Sequence, residues 1–210
     1  MIIAGCALVC LCVCLPMFLT YKPVNRPFGA VFKTLGSLCA TIPAFIAAVK
    51  LDEHAWICVI ALLLCCVADF LLEVVFPAGM GCFGCAHIVF TAWYITAAGF
   101  TLPHLICIIC LMLIGAYVIY KWRAKIGRYI PAFALYCILL CVMAGSGIAG
   151  GLALYNITGW LTAAGAALFA LSDAMVCRKL FFTESNRFNA VTMIIYYSAL
   201  LCISSACLYL

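Results

Sequence analysis

Charged side chains are scarce in this sequence. Lys and Arg contribute 11 residues and Asp and Glu contribute 6, so that 8% of the 210 residues are charged. Soluble domains carry about 25%, and this composition therefore excludes an ordinary soluble protein. The sequence also lacks G-x-S-x-G, P-loop, H-E-x-x-H and dinucleotide-binding motifs. Nothing in it favours nucleic-acid binding.

Long apolar runs fill the chain instead. Hydrophobic residues make up 70% of it, and the mean hydropathy is +1.32. A membrane-spanning helix needs about 20 apolar residues. We predict a single domain over residues 1–210, an all-α integral membrane protein built as a bundle of eight transmembrane helices. The predicted helices cover residues 2–20, 28–49, 54–76, 82–101, 103–120, 129–149, 155–176 and 190–210.

The basic residues predict an orientation in the membrane. Ten of the 11 lie in or just beyond the first, fifth and seventh connections, and only Lys50 lies on the opposite side. Because cytosolic loops are enriched in Lys and Arg, these connections are expected in the cytosol and both termini outside it. The first helix lacks a basic flank and a cleavage site and is expected to be retained. The membrane would be the plasma membrane in a bacterium and the endoplasmic reticulum in a eukaryote.

The 17 cysteines do not form a convincing metal or disulfide pattern. Most lie within predicted helices, where a free cysteine behaves as a small hydrophobic residue. The pairs Cys82–Cys85 and Cys107–Cys110 are as many C-x-x-C matches as chance would give. We expect no metal and no cofactor.

Four ionisable residues lie near the same end of their helices: Asp69, Glu73, His87 and Asp173. An ionisable group in hydrocarbon costs several kcal/mol and usually serves a function. The alternative is that each reaches the interface as a snorkelling charge, which suits Lys33 and Glu73 better than the shorter side chains. We expect Asp69, His87 and Asp173 to line one cavity that opens toward the cytosolic leaflet.

Two dipeptide pairs suggest an internal repeat. Ala68-Asp69 matches Ser172-Asp173, and Tyr21-Lys22 matches Tyr120-Lys121 four predicted helices later. The pattern is compatible with a four-plus-four parallel duplication, which would bring both aspartates to one depth.

At these residues the chain resembles the YhhN-like lysoplasmalogenases. The family signatures correspond to residues 68–72, to Phe83, His87 and Phe90, and to residues 165–173. Lys33 and the Tyr196-Tyr197 pair also match. The chain departs from the family pattern at Ala68, where the family has glycine, at Phe90, where it has tyrosine, and at Leu200, where some members have glutamine.

The resemblance implies hydrolysis of the vinyl ether of a lysophospholipid taken from the bilayer. A carboxylic acid would protonate carbon, and a carboxylate would assist attack by water, as in glycosidases. Asp69 and Asp173 would be the pair, with His87 as a third catalytic residue. The residues expected to contact substrate are Lys33, Glu73, Phe83, Ser172 and Tyr197. The alternative function is a proton-coupled transporter or lipid-translocating protein that uses the same carboxylates.

Overall fold

A computed structural model describes residues 2–179 and 186–209, and these residues contain helices and short connections but no strand. The predicted seventh connection lies partly outside them, as does Leu210 at the end of the predicted last helix. In the first half of the chain, helix α1 spans Ile2–Tyr21 with a π-helical stretch at Val9–Cys14. Helices α2, α3 and α4 follow at Arg26–Lys50, Ala55–Val74 and Phe76–Ala98.

The second half contains α5 at Leu102–Ile126, α6 at Ile130–Ala153, α7 at Ile157–Lys179 and α8 at Asn186–Ala206, which a 3-10 turn extends to Tyr209. Between α5 and α6 the chain stays helical through a 3-10 turn at Gly127–Tyr129, and Gly127 has a φ of +56°. Since α5 and α6 pack against each other, this segment doubles back at Gly127.

The described residues form an all-α, multi-pass membrane protein. Seven continuous helical segments are long and apolar enough to cross a membrane, so the predicted count of eight separate spans is off by one. The difference arises because α5 and α6 form one helical segment of 52 residues. Because the segment folds back at Gly127, α5 and α6 measure about 37 Å and 36 Å at 1.5 Å per residue, and each is long enough to cross the hydrocarbon core by itself.

Helix α4 begins six residues earlier than predicted. A single residue, Val75, separates it from α3, and Pro77 occupies the first turn, where proline favours helix initiation. Gly79, close behind Pro77, is a contact residue. A Cβ atom there would lie 2.5 Å from the backbone nitrogen of Leu72. The two helices therefore approach too closely for any other side chain at this position.

Six helices form a closed ring. Helix α2 packs on α3, α3 on α4, α4 on α6, α6 on α7, α7 on α8, and α8 returns to α2. Helix α1 packs outside this ring on α2 and α8, and α5 packs outside it on α6. The largest side chains buried inside include Trp93, Tyr197, Phe90 and Phe169. The ring encloses polar residues where α3 and α7 end and α2, α4 and α8 begin.

Candidate active site

A small cavity lies inside the ring near this end. Its volume is about 30 Å³, which is room for about two water molecules. Both aspartates line it. The other charged, hydroxyl-bearing or aromatic side chains of its wall come from five helices: Lys33, Phe76, Phe83, Tyr136, Ser172, Thr192 and Tyr196. The two aspartates, which the sequence placed at one depth in the membrane, thus line one cavity.

Asp69 is fully buried and has one ion pair and two hydroxyl donors. Lys33 Nζ lies 3.1 Å from Oδ1, and the Tyr196 hydroxyl donates to Oδ2 at 2.7 Å. The hydroxyl of Ser37 also donates to Oδ2 in a short hydrogen bond. A cation and two hydroxyl donors directed at one carboxylate stabilise its ionised form.

A chain of alternating charges connects Asp69 to the helix ends. Lys33 Nζ also lies 3.8 Å from Glu73 Oε1, and Lys22 Nζ lies 3.0 Å from the same oxygen. Lys22 follows α1, and its side chain is 27% exposed, against 6% for Lys33. Burial lowers the pKa of the Lys22 ammonium group, although Glu73 opposes this effect. Lys33 is therefore held between two carboxylates, and the snorkelling interpretation of this lysine is wrong.

Asp173 has a different set of partners. The Tyr136 hydroxyl donates to its Oδ2 at 2.5 Å, and His87 Nε2 lies 3.3 Å from the same atom. His87 Nε2 also lies 3.2 Å from the Tyr136 hydroxyl oxygen, so that the three groups form a triangle. Asp173 thus contacts a phenol and an imidazole, whereas Asp69 contacts an ammonium group.

His87 lies behind Asp173 and is absent from the cavity wall, contrary to our expectation. The early start of α4 explains this, because His87 comes 11 residues after Phe76. It is thus about three turns into the helix, where we expected little more than one. Its Nδ1 atom is buried without a hydrogen-bond partner. His87 can reach a substrate in the cavity only through Asp173 or Tyr136.

Aromatic rings surround the polar groups. The Phe169 ring lies 5.5 Å from His87, 6.2 Å from Phe83 and 5.8 Å from Tyr196, centre to centre, in edge-to-face geometry. Phe83 and Tyr196 also line the cavity. These rings keep the carboxylates in a site of low polarity, where electrostatic interactions are strong.

Three residues expected at the substrate occupy other positions or roles. Glu73 pairs with the two lysines and is absent from the cavity wall. The Tyr197 hydroxyl donates to the backbone oxygen of Lys33 at 3.1 Å, and its neighbour Tyr196 faces the cavity. Ser172 lines the cavity, but its hydroxyl donates to the Phe169 backbone oxygen of its own helix.

Sequence reasoning missed Ser37 and Tyr136. Ser37 follows Lys33 by four residues, and the i, i+4 rule predicts that they share a face. Tyr136 carries the only hydroxyl between residues 130 and 145, and a lone hydroxyl in an apolar helix was the available signal. Within the described residues, no three His, Cys, Asp or Glu side chains are grouped as metal ligands would be.

Comparison with known proteins identifies the family. The model of the YhhN family matches residues 28–207. The chain belongs to the YhhN family. This membership suggests a lysoplasmalogenase-like hydrolase at the level of the family. The search of curated proteins and the search of solved structures each gave no match.

The third YhhN signature has a physical explanation in this structure. A Cβ atom at Gly165 would lie 2.6 Å from Ile203 Cγ1 on α8, and Ala166 contacts α6 at Gly147. Small residues at these two positions let α7 pack closely against both neighbours. Phe169 and Asp173 follow on the same helix and face the site. In this YhhN protein, the start of the signature thus allows close helix packing, and its end supplies the carboxylate of the site.

Proposed function

We propose that this protein hydrolyses the vinyl ether bond of a lysoplasmalogen to a fatty aldehyde and a glycerophospho-base. The observation that carries the proposal is the pair of aspartates on one cavity with different partners. Asp69 has a cation and two hydroxyl donors, and Asp173 has Tyr136 and His87. Pairs of carboxylates in unlike surroundings take separate acid and base roles. Membership of the YhhN family supports the same reaction class.

In this proposal Asp173 is the acid. An enol ether hydrolyses when a proton is delivered to its remote vinyl carbon, which leaves a cation shared between the other carbon and the ether oxygen. Among the described residues, the polar contacts of Asp173 are to Tyr136 and His87, whereas Lys33 pairs with Asp69, and we assign the delivery of that proton to Asp173. Its partner Tyr136 orients the carboxyl group, and His87 supports it from behind.

Asp69 is the ionised carboxylate in this mechanism. Its negative charge stabilises the oxocarbenium-like cation, as the second carboxylate does in glycosidases. Water then adds to the cation and gives its proton to Asp69. The resulting hemiacetal opens to the aldehyde and the alcohol, and transfer of the proton from Asp69 to Asp173 resets the pair.

The geometry changes the role that we assign to Lys33. The family resemblance predicted that Lys33 contacts the substrate, and its cation would suit the lipid phosphate, but Lys33 Nζ is buried between Asp69 and Glu73. We assign it to holding Asp69 ionised and in position. Lys22, which is more exposed and lies at the end of the charge chain, is the better candidate for the phosphate. Phe83 and Ser172 remain candidate substrate contacts in the cavity wall.

The orientation also belongs to the proposal. Lys22, Arg26 and Lys125 lie at helix ends on the side of the cavity, and the positive-inside rule assigns this side to the cytosol. The site would then take its lipid from the cytosolic leaflet, with both termini on the other side. The membrane would be the plasma membrane of a bacterium or the endoplasmic reticulum of a eukaryote.

Purified protein in lipid nanodiscs provides the test. A vinyl-ether lysolipid should yield a fatty aldehyde, and its saturated ether analogue should yield none. Asp69→Asn and Asp173→Asn should each lower kcat by about 10²–10⁴-fold, the usual contribution of acid–base catalysis. Asp52→Asn is the matched control, because Asp52 lies in the α2–α3 connection outside the site. Full activity in both site variants would refute the two-carboxylate mechanism.

A further inference from the structure

A second and larger concavity lies beside the candidate site. It runs between α5 and α6, with α7 as its floor, and its volume is about 250 Å³. We call it the α5–α6 groove. Its lining includes Val118, Leu140, Ala170 and Ala174 and contains no charged side chain. Tyr136 supplies the one hydroxyl group among the residues that line it.

The groove and the cavity share two wall residues, Tyr136 and Cys177. Tyr136 donates its hydroxyl hydrogen bond to Asp173 at 2.5 Å. A molecule lying in the groove would therefore reach the carboxylate past the Tyr136 side chain. The cavity alone, at about 30 Å³, cannot hold a lipid chain. The adjoining α5–α6 groove, at about 250 Å³, has room for such a chain.

The dimensions of the groove match one hydrocarbon chain. Its α5 wall extends from Leu111 to Ile126, which is about 22 Å at 1.5 Å per residue. One leaflet contributes about 15 Å of the 30 Å hydrocarbon core, so the wall is longer than the part of a chain that one leaflet holds. Small residues on α7, Ala170 and Ala174, leave the groove deep, since they are four residues apart on one face. A full-length chain would fit along it.

We propose that the α5–α6 groove binds the hydrocarbon chain of a single-chain lipid whose polar end enters the cavity. The inference rests on the proposed function, because it assigns the chain subsite of the same substrate. Lipid tails are as apolar as leucine, so transfer from the bilayer gains little hydrophobic free energy. The groove would act by shape, selecting chain length and aligning the first chain carbons with Asp173.

Photo-crosslinking tests the groove without any hydrolysis. The probe is a saturated ether lysolipid with a diazirine at the end of its chain, incorporated into nanodiscs with the full-length protein. Adducts should concentrate on α5 and α6 residues of the groove. Ala170→Leu should lower their yield severalfold. Ala164→Leu should not, because Ala164 is exposed, does not line the groove and lies about 120° around α7 from Ala170. Adducts spread evenly over all exposed helix faces would overturn the proposal.

Hydrolysis of two vinyl-ether lysolipids, one long-chain and one short-chain, provides the second measurement. Ala170→Leu should lower kcat/KM for the long chain by at least about tenfold more than for the short chain, as expected when a side chain fills an apolar pocket. Val118→Trp on the α5 wall is a second variant in case the first does not fold. Equal losses for both lipids would overturn the chain subsite. Groove adducts without any aldehyde would refute the proposed function and leave the groove standing.

Discussion

Removal of the Lys33 charge is the sharpest test of the proposed roles of the two aspartates. Lys33→Met keeps the unbranched side chain to within one atom of its length and removes its cation, which leaves Asp69 with two hydroxyl donors, Ser37 and Tyr196. Charges 3.1 Å apart attract by about 5 kcal/mol at an effective dielectric constant of about 20. Breaking a buried pair typically lowers the free energy of unfolding by about 3–5 kcal/mol.

The activity of Lys33→Met should decrease for a separate reason. Without the ammonium group Asp69 takes up a proton, and the negative charge that stabilises the cation is lost. Preorganised charge of this kind contributes about 10²–10³-fold to kcat. The assays are thermal unfolding in detergent and aldehyde release from a vinyl-ether lysolipid in nanodiscs.

The double variant Lys33→Met with Asp69→Asn separates the two effects. It contains no unpaired buried charge, so its stability should recover most of the loss, while its activity should stay as low as that of Asp69→Asn. A single Lys33→Met variant with near-normal kcat would refute the ionised state of Asp69. Recovery of activity in the double variant would refute a role for the Asp69 charge in the reaction.

Three further predictions concern the site, the packing and the topology. Tyr196→Phe removes a hydrogen bond to the Asp69 carboxylate and should lower kcat about 10–100-fold. Tyr197→Phe should mainly reduce thermal stability. A larger kcat loss in Tyr197→Phe than in Tyr196→Phe would show that Tyr197, and not Tyr196, serves the site. Gly159→Ala places a Cβ atom against the backbone oxygen of Gly151 on α6 and should lower the free energy of unfolding by at least about 1–3 kcal/mol. Gly5→Ala, within α1 and with open space around it, should leave stability unchanged or raise it by up to about 1 kcal/mol. In intact cells, an impermeant thiol reagent should label Lys125→Cys no more than it labels the unmodified protein, whose native cysteines set the background. Additional labelling from outside would invert the topology.

Hydropathy and charge were enough to predict the class of fold and the shared location of the aspartates. Apolar runs give helix positions within a few residues, and a common depth on α3 and α7 places Asp69 and Asp173 together. Both inferences need only distances along a helix axis, which a sequence supplies directly.

Rotation about a helix axis and contact partners were harder to predict. Tyr196 and Tyr197 differ by about 100° around α8, and the family pattern alone could not say which faces the cavity. Lys33 has the right chemistry for a phosphate, but its partner is set by the packing of α2 on α3. The depth of His87 depends on the start of α4 at Phe76, with only Val75 between it and α3, whereas the apolar runs indicated a longer connection.

The pairing of Lys33 with Asp69 has a consequence for how the protein enters the membrane. On the insertion scale, a lysine or an aspartate at the centre of a helix costs about 2.5–3.5 kcal/mol. Lys33 lies on α2 and Asp69 on α3, consecutive helices joined by residues 51–54. Insertion of the two as a hairpin would allow each charge to enter the bilayer already neutralised by the other. The ion pair that organises the site would thus also assist the biogenesis of the protein, and α2 without α3 should insert poorly.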